Sequence, residues 1–408
     1  MDSSSLKYIA LGIGAATTAT ALSLHLYNKS LFAVTIVPRP LDKDCFALPP
    51  REDFIKLLGA PTNVGYAVTG GAGFIGAYIV EQLLARGEKH VYVLDLKPSN
   101  NIPKGTQFVE CDITDYGSVK KALDNRSIQV VYHVAAIIRF MDEFPEQLPV
   151  SMKVNVKGTE NVIEACRELS IPILVQTSTS HVCVGKDLNP IFYGNENLPY
   201  TTKPFNNYAK TKALAEQATL AANGTALSNG GVLSTGSIRP TSTIYGRGDR
   251  WGLDTYFSTG KLTIHHPGVV DDFCYVENLA LAHLLLERAL REKPKESGGK
   301  AYFISHDDPL SRENFFAILE KLLPNRFSRE TMPYPLMYVL SRLATFTSRY
   351  TSTSLGDLDM FTACSDRMQW SQHCFSSQRA RKVLGYEPFY SVEQGVAVSW
   401  NRFQEGKK

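Results

Sequence analysis

The stretch from Val64 to Gly76, VGYAVTGGAGFIG, constrains what this chain can fold into more than any other segment. Val64 to Thr69 is a short apolar run that reads as a buried strand. It ends at Gly70, Gly73 and Gly76, a G-x-x-G-x-x-G spacing. From Phe74 to Arg86 the apolar residues Ile75, Ile79, Leu83 and Leu84 recur at helical intervals, and Gly87 is a natural stop. Strand, glycine turn and helix together suit a pyrophosphate. Glycine lets the backbone come close, and the first helical turn at Phe74, Ile75 and Gly76 presents N–H donors and the positive end of the helix dipole. The same turn can serve only to pack a helix on a sheet, so its surroundings decide between the two.

Those surroundings repeat the pattern. His90 to Leu94 is a second buried strand, closed by Asp95 about 20 residues beyond the glycines, where a dinucleotide fold needs an acid. A carboxylate there accepts hydrogen bonds from the adenosine ribose hydroxyls and repels a 2′-phosphate, so NAD is expected over NADP. Lys97 leaves the phosphate some tolerance. Thr106 to Cys111 is a third strand, with Asp112 at its end, and Ile128 to Val134 a fourth, followed by Ala135 and Ala136. Ile173 to Gln176 is a fifth, and Gly158 to Leu169 is helical. The alternation predicts an α/β protein with a doubly wound parallel sheet, a Rossmann fold, whose ligands sit at the strand C-terminal ends. Gly70, Asp95, Asp112 and Ala135 all fall there.

Tyr208 and Lys212 in YAKTK lie four residues apart, on one face of a helix if the segment is helical. When hydride leaves an alcohol carbon, a base must take the hydroxyl proton. A free tyrosine, with a pKa of about 10, holds its proton too tightly for that task. A nearby ammonium and a positive nicotinamide favour the phenolate, and the lysine can hold the nicotinamide ribose as well. A Y-x-x-x-K spacing alone is common. Downstream of a nucleotide fold it points to catalysis. The run Gln176 to His181 (QTSTSH) follows the fifth strand, and a hydroxyl in it can donate to the developing oxygen charge. Asn155 either orients a relay water toward Lys212 or caps a helix.

TGGAGFIG at 69–76, LD at 94–95, CD at 111–112, NVKGTENV at 155–162 and YAKTK at 208–212 resemble the extended short-chain dehydrogenases/reductases. IRPTSTIYGRGD (238–249), DFCYVENLALAH (272–283) and FSSQRARKVLGYEP (375–388) resemble the 3-beta-hydroxysteroid dehydrogenase branch, which includes sterol-4-alpha-carboxylate 3-dehydrogenases. The likeness runs from about Val64 to Phe403. It implies Tyr208 as base, Lys212 beside it, and a serine or threonine after the fifth strand. Thr179 takes that place where steroid enzymes usually carry serine, with Ser178 and Ser180 as fallbacks. Pro240 and Thr241 would approach the nicotinamide end. The implied activity is NAD-dependent oxidation of a ring 3-beta-hydroxyl of a sterol or terpenoid. Carbon dioxide would follow where a neighbouring 4-carboxyl makes a beta-keto acid, and Arg139, Arg247 or Arg250 would pair with that carboxyl. A specialised-metabolism terpenoid dehydrogenase uses the same machinery. A nucleotide-sugar epimerase or dehydratase is the rival that shares the fold and the Tyr/Lys pair. The resemblance also brings membrane attachment, and a homodimer as an option.

The N-terminus agrees with attachment. Tyr8 to Asn28 holds no Asp, Glu, Lys or Arg and is long enough to span a bilayer, although three threonines, a serine and a histidine dilute it. A membrane anchor over 1–30 is expected, on the endoplasmic reticulum with the catalytic domain in the cytosol. A cleaved targeting segment and an interfacial helix are the alternatives. Residues 31–63, with Pro38, Pro40, Pro49, Pro50 and Pro61, read as a surface linker. Residues 64–245 read as the NAD-binding domain, and 246–408 mainly as a substrate lobe with some segments returning to the core. Trp251, Tyr256, Phe257, Phe273 and Tyr275 would line a lipophilic pocket or simply fill a core. Pro335 to Phe346 is too short to span and carries Arg342, so it is a core or interfacial helix. Seven cysteines without a C-x-x-C pair suit a reducing compartment, and no metal site is expected, His265 and His266 being adjacent. A formal net charge of +3 gives no footing for nucleic acid.

Overall fold

Seven strands pair edge to edge, all parallel: β1 (Gly65–Thr69), β2 (His90–Asp95), β3 (Gln107–Glu110), β4 (Ile128–His133), β5 (Ile173–Thr177), β6 (Ser234–Pro240) and β7 (Lys300–Ile304). Their spatial order is β3-β2-β1-β4-β5-β6-β7. The computed structural model describes residues 39–406 apart from 43, 100–101, 125, 140–143, 265–267, 332–333, 352–361 and 363–371. The anchor expected over 1–30, like His265 and His266, lies outside the described residues. Among the described residues no helix is long and apolar enough to cross a membrane.

A parallel sheet is covered on both faces, so its strands read as continuous apolar runs, and β1 is buried at every position. Successive side chains point to opposite faces. Tyr66 and Val68 of β1 therefore pack toward α1 (Phe74–Arg86), while Ala67 packs on the other face. That second face is covered by α2 (Tyr116–Leu123), α3 (Gly158–Glu168) and the end of α4 (Asn207–Ala221), through Val119, Val162, Cys166 and Ala218. On the first face α5 (Val276–Glu292) joins α1 and contributes Leu279, Leu286 and Leu290 to the larger core. The sequence showed α1 with its limits, Phe74 to Arg86, and Gly87 closes it with a left-handed φ of 97°. It did not show β6 or β7. The β6 segment, STGSIRP, has no apolar alternation because its polar groups are paired inside: Ser237 Oγ donates to Gln176 Oε1 at 2.8 Å, and Thr235 Oγ1 to the Thr219 carbonyl at 2.6 Å.

Part of the segment read as a surface linker is a docked helix. Arg51–Leu58 buries Phe54, whose ring stacks 5.7 Å from Tyr390, and Arg51 pairs with Glu277 of α5. The later part of the chain builds small two-stranded ladders, α6 (Arg312–Leu322), α7 (Tyr334–Thr351) and α8 (Val392–Glu405). Phe273 stacks on Phe315 at 4.2 Å, beside Tyr245 and Tyr275, and Phe257 packs on Trp400 and Phe403. Phe257, Phe273 and Tyr275 are thus packed core rather than pocket wall, Tyr256 sits edge-on to Phe316, and Trp251 is half exposed. Along α7, Leu336, Leu340 and Leu343 face solvent at one-face spacing, whereas Met337 is buried.

Candidate active site

The glycine turn closes against β4. Gly70 holds a positive φ of 68°, and a Cβ there would lie 2.8 Å from the Ala135 Cα. At Gly76 a Cβ would stand 2.2 Å from the Gly70 carbonyl oxygen, so only glycine lets α1 start this close to the turn. Gly73 precedes the helix, no side chain caps the first turn, and no acid lies in it. The helix N-terminus is left with free N–H donors and a positive end. Asp95, at the tip of β2, accepts from the Ala72 N–H at 3.2 Å and the Leu96 N–H at 2.8 Å, which fixes it beside the turn. The Ala135 N–H reaches Thr69 Oγ1 at 3.3 Å, and Asp112 follows β3, taking the Thr114 N–H at 2.9 Å. Glycine cradle, uncapped helix and acid at the neighbouring strand end fit a dinucleotide.

The reactive groups stand at the same sheet edge, two strands away. Beyond β5, the Ser178 N–H is held by the Ile238 carbonyl at 2.6 Å. Thr179 then caps a short turn, Ser180–Cys183, its Oγ1 accepting from the His181 N–H. Opposite, Asn206 caps α4 by accepting from the Ala209 N–H at 2.8 Å, which starts the helix just ahead of Tyr208 and puts Lys212 one turn further on. Burial raises the Tyr208 phenol above its ordinary pKa, and the nearby Thr179 hydroxyl works against it. Of Ser178, Thr179 and Ser180 it is Thr179 that acts on the phenol. Ser178 and Ser180 keep buried hydroxyls without partners.

Lys212 is buried, and its Nζ donates to the Thr177 carbonyl at 2.5 Å. Burial brings its pKa down to about 8, opposed by the Glu216 carboxylate one turn along α4. Glu216 is itself clamped by Arg239 of β6, 2.6 Å away, and receives the Tyr200 hydroxyl. The lysine head turns to the Thr177 carbonyl, and the Thr179 hydroxyl is the group that opposes the effect of burial on the phenol. The lysine charge bears instead on His133, lowered to about 3 by burial and by Lys212.

Asn155 lies neither at a cap nor on Lys212. It sits in a wider π-helical turn, Met152–Lys157, ahead of α3. Its amide oxygen takes the Ile137 N–H at 2.8 Å, and its Nδ2 reaches the Ile137 carbonyl and Thr211 Oγ1 at 3.1 and 3.0 Å. Sequence reasoning missed the chain of bonds leading there. Thr159 Oγ1 donates to the Asn155 carbonyl at 2.7 Å. His133 Nε2 therefore donates to Thr159, and its Nδ1 accepts from Thr69 at 2.8 Å. A neutral histidine thus ties the cofactor strand to the Asn155 turn. The only hint in the sequence was a polar residue closing an apolar strand.

Pro240 ends β6, and the next residue, Thr241, donates its N–H to Ile304 of β7 at 3.2 Å. Arg247, one of three cations proposed for a substrate carboxylate, is committed to Asp254 and lies over the Phe403 ring. His181 was also missed. It faces Tyr208 and Phe205 edge-on, with ring centroids 6.5 and 5.2 Å away.

Comparisons with known proteins agree with this geometry. Residues 67–332 match the model of the 3-beta hydroxysteroid dehydrogenase/isomerase family. The zebrafish (Danio rerio) short-chain dehydrogenase/reductase family 42E member 1 is 34% identical over 84% of this chain and 89% of that protein. The mouse (Mus musculus) sterol-4-alpha-carboxylate 3-dehydrogenase, decarboxylating, is 29% identical over 84% of this chain and 91% of its own. Among solved structures, the UDP-glucose 4-epimerase of Thermus thermophilus in complex with NAD superposes with a TM-score of 0.61 at 25% identity, covering 84% of this chain and 99% of that one.

Proposed function

The chain belongs to the 3-beta hydroxysteroid dehydrogenase/isomerase family, and from that premise we propose that it oxidises a ring secondary alcohol of a sterol or terpenoid to the ketone. It is an NAD(P)-dependent oxidoreductase of the extended short-chain type, and its cofactor is NAD. The observation that carries the alcohol-oxidation reading is the Thr179 hydroxyl near the Tyr208 phenol, beside buried Lys212, at the sheet edge that holds the glycine turn, and the likeness to sterol dehydrogenases supports the ring substrate.

Bound NAD supplies the hydride acceptor. The protein's own groups handle the proton and the oxygen. Tyr208 takes the proton of the substrate hydroxyl, and Thr179 holds the substrate oxygen and the phenol in register. Lys212, fixed at Thr177, keeps its remaining N–H donors for the ribose next to the nicotinamide. Asp95 and the Gly70–Gly76 turn hold the adenosine and pyrophosphate ends. Where the substrate carries a carboxyl beside the new ketone, carbon dioxide leaves without a further catalytic residue. The stripe of Leu336, Leu340 and Leu343 on α7 supports contact with a lipid surface, from which a lipophilic alcohol would be drawn.

The test is NADH formation by the purified full chain with 3-beta-hydroxysterols, terpenoid alcohols and nucleotide sugars, with mass analysis of the products. A loss of two hydrogens from a sterol or terpenoid, abolished in Tyr208→Phe with NAD binding kept, is expected. Turnover of nucleotide sugars alone would replace this reading by the epimerase one.

A further inference from the structure

Beyond the His181 ring from Tyr208 lies a small cavity of about 30 Å³ that the mechanism above leaves without a task. Its apolar side includes Phe205 and Val184, and its polar groups are His181, Ser242, Asp271 and His373. His181 is 8% exposed, and its Nδ1 is buried without a hydrogen-bond partner. A ring nitrogen shut away from water with nothing to bond costs about 1–3 kcal/mol, a cost removed when a ligand supplies the partner. His373 is 2% exposed and donates from Nε2 to the Asn189 carbonyl at 3.2 Å, which leaves its Nδ1 as an acceptor. Asp271, also in the lining, accepts from the Thr243 hydroxyl and from the Asp272 N–H.

The charges select the ligand. Among the described residues no Lys or Arg lines the cavity, Asp271 does, and burial keeps both histidines neutral by lowering their pKa to about 3 and about 4. A carboxylate placed here would meet Asp271, which already takes the charge of Arg312 from outside the lining. A methyl group would leave His181 Nδ1 unpaired. A hydroxyl both donates and accepts, so it satisfies the histidines, Ser242 or Asp271 in either tautomer of His181.

We propose that this cavity is a substrate subsite for a neutral, hydroxyl-bearing substituent on the ring beside the reacting carbon, with His181 as its specificity-determining residue. The proposal rests on the reading of the chain as a ring-alcohol dehydrogenase. It narrows the substrate class to alcohols that carry a second hydroxyl close to the first.

Three 3-beta-hydroxysterol probes that differ only at C4, bearing methyl, hydroxymethyl or carboxyl, test it on the NAD-loaded full chain. Wild type should turn over the hydroxymethyl probe with a kcat/KM about tenfold above the methyl probe, and the carboxyl probe below both. In His181→Phe the ratio of hydroxymethyl to methyl should fall to about one, whatever the turnover of each. Asp271→Asn, read in parallel in case His181→Phe fails to fold, should raise the carboxyl probe relative to the hydroxymethyl probe. Saturation-transfer NMR of the same probes reports binding apart from chemistry. Tighter binding of the hydroxymethyl probe without turnover of any probe would keep the subsite and remove the oxidation reading. Equal binding of methyl and hydroxymethyl by wild type, or a preference for carboxyl, overturns the subsite.

Discussion

Replacing Gly76 by alanine separates what the glycine turn does for folding from what it does for the cofactor. The added Cβ would stand 2.2 Å from the Gly70 carbonyl oxygen and 2.7 Å from the Gly71 Cα, all backbone, so no side chain can swing aside. Helix α1 must back away from the turn by about 1 Å to restore ordinary contact, which puts the cost near the upper end of the 1–3 kcal/mol typical of overpacking. For a chain of this size that is a fall in Tm of about 4 °C. Retreat of the same helix N-terminus from the pyrophosphate should weaken NAD by about 10- to 100-fold. Gly73 is the control. Its φ is −84°, open to any L-residue, and a Cβ there meets the Gly70 oxygen at 3.2 Å. Gly73→Ala should keep its Tm within about 1 °C, so any loss of NAD affinity in it measures how closely the pyrophosphate passes. Thermal unfolding and NAD titration by calorimetry give both numbers. An unchanged Tm in Gly76→Ala, or an equal fall in Gly73→Ala, would refute the reasoning.

Thr179→Ala should lower kcat by about 100- to 1,000-fold while Thr179→Ser keeps most of it, measured as NADH formation, because only the hydroxyl is used. Lys212 has a folded pKa of about 8 against 10.5 for the free side chain, so between those values the unfolded chain binds more protons. Wild-type stability should therefore rise with pH across that window relative to Lys212→Met, and denaturant titrations showing parallel curves would contradict it. Arg239→Met leaves Glu216 buried without its cation and should cost about 3–5 kcal/mol in urea unfolding, with much of it regained in the double variant Arg239→Met/Glu216→Met. Asp95→Asn should narrow the preference for NAD over NADP, read as the ratio of kcat/KM values, by removing the charge that repels a 2′-phosphate.

The parts of the fold visible in the sequence are those where one local rule acts alone. Strands β1, β2, β4 and β5 carry largely apolar runs because both faces are covered, and α1 announces itself through its glycines. Strand β6 was hidden because burial there is achieved by pairing. Arg239 meets Glu216 and Ser237 meets Gln176, partners 23 and 61 residues away that no local window contains. The site divides the same way. Tyr208 and Lys212 share a helix and show as a spacing, whereas His133 and His181 gain their setting only when β4, β5 and α4 are side by side. The direction of the Lys212 head could not be read at all, since its acceptor is a main-chain carbonyl on another strand.

Strand β7 is supplied by residues 300–304, long after the chain has left the sheet to build the second half, and it pairs with β6 along its whole length. A fragment stopped after Tyr245 would therefore expose β6 as a bare edge, with the Arg239–Glu216 pair laid open to water beside unpaired N–H and C=O groups. Such a truncation is expected to self-associate rather than survive as a free nucleotide-binding module. Engineers who wish to exchange substrate specificity between relatives do better to graft the loops around 181–205 and 242–271 than to swap whole C-terminal halves.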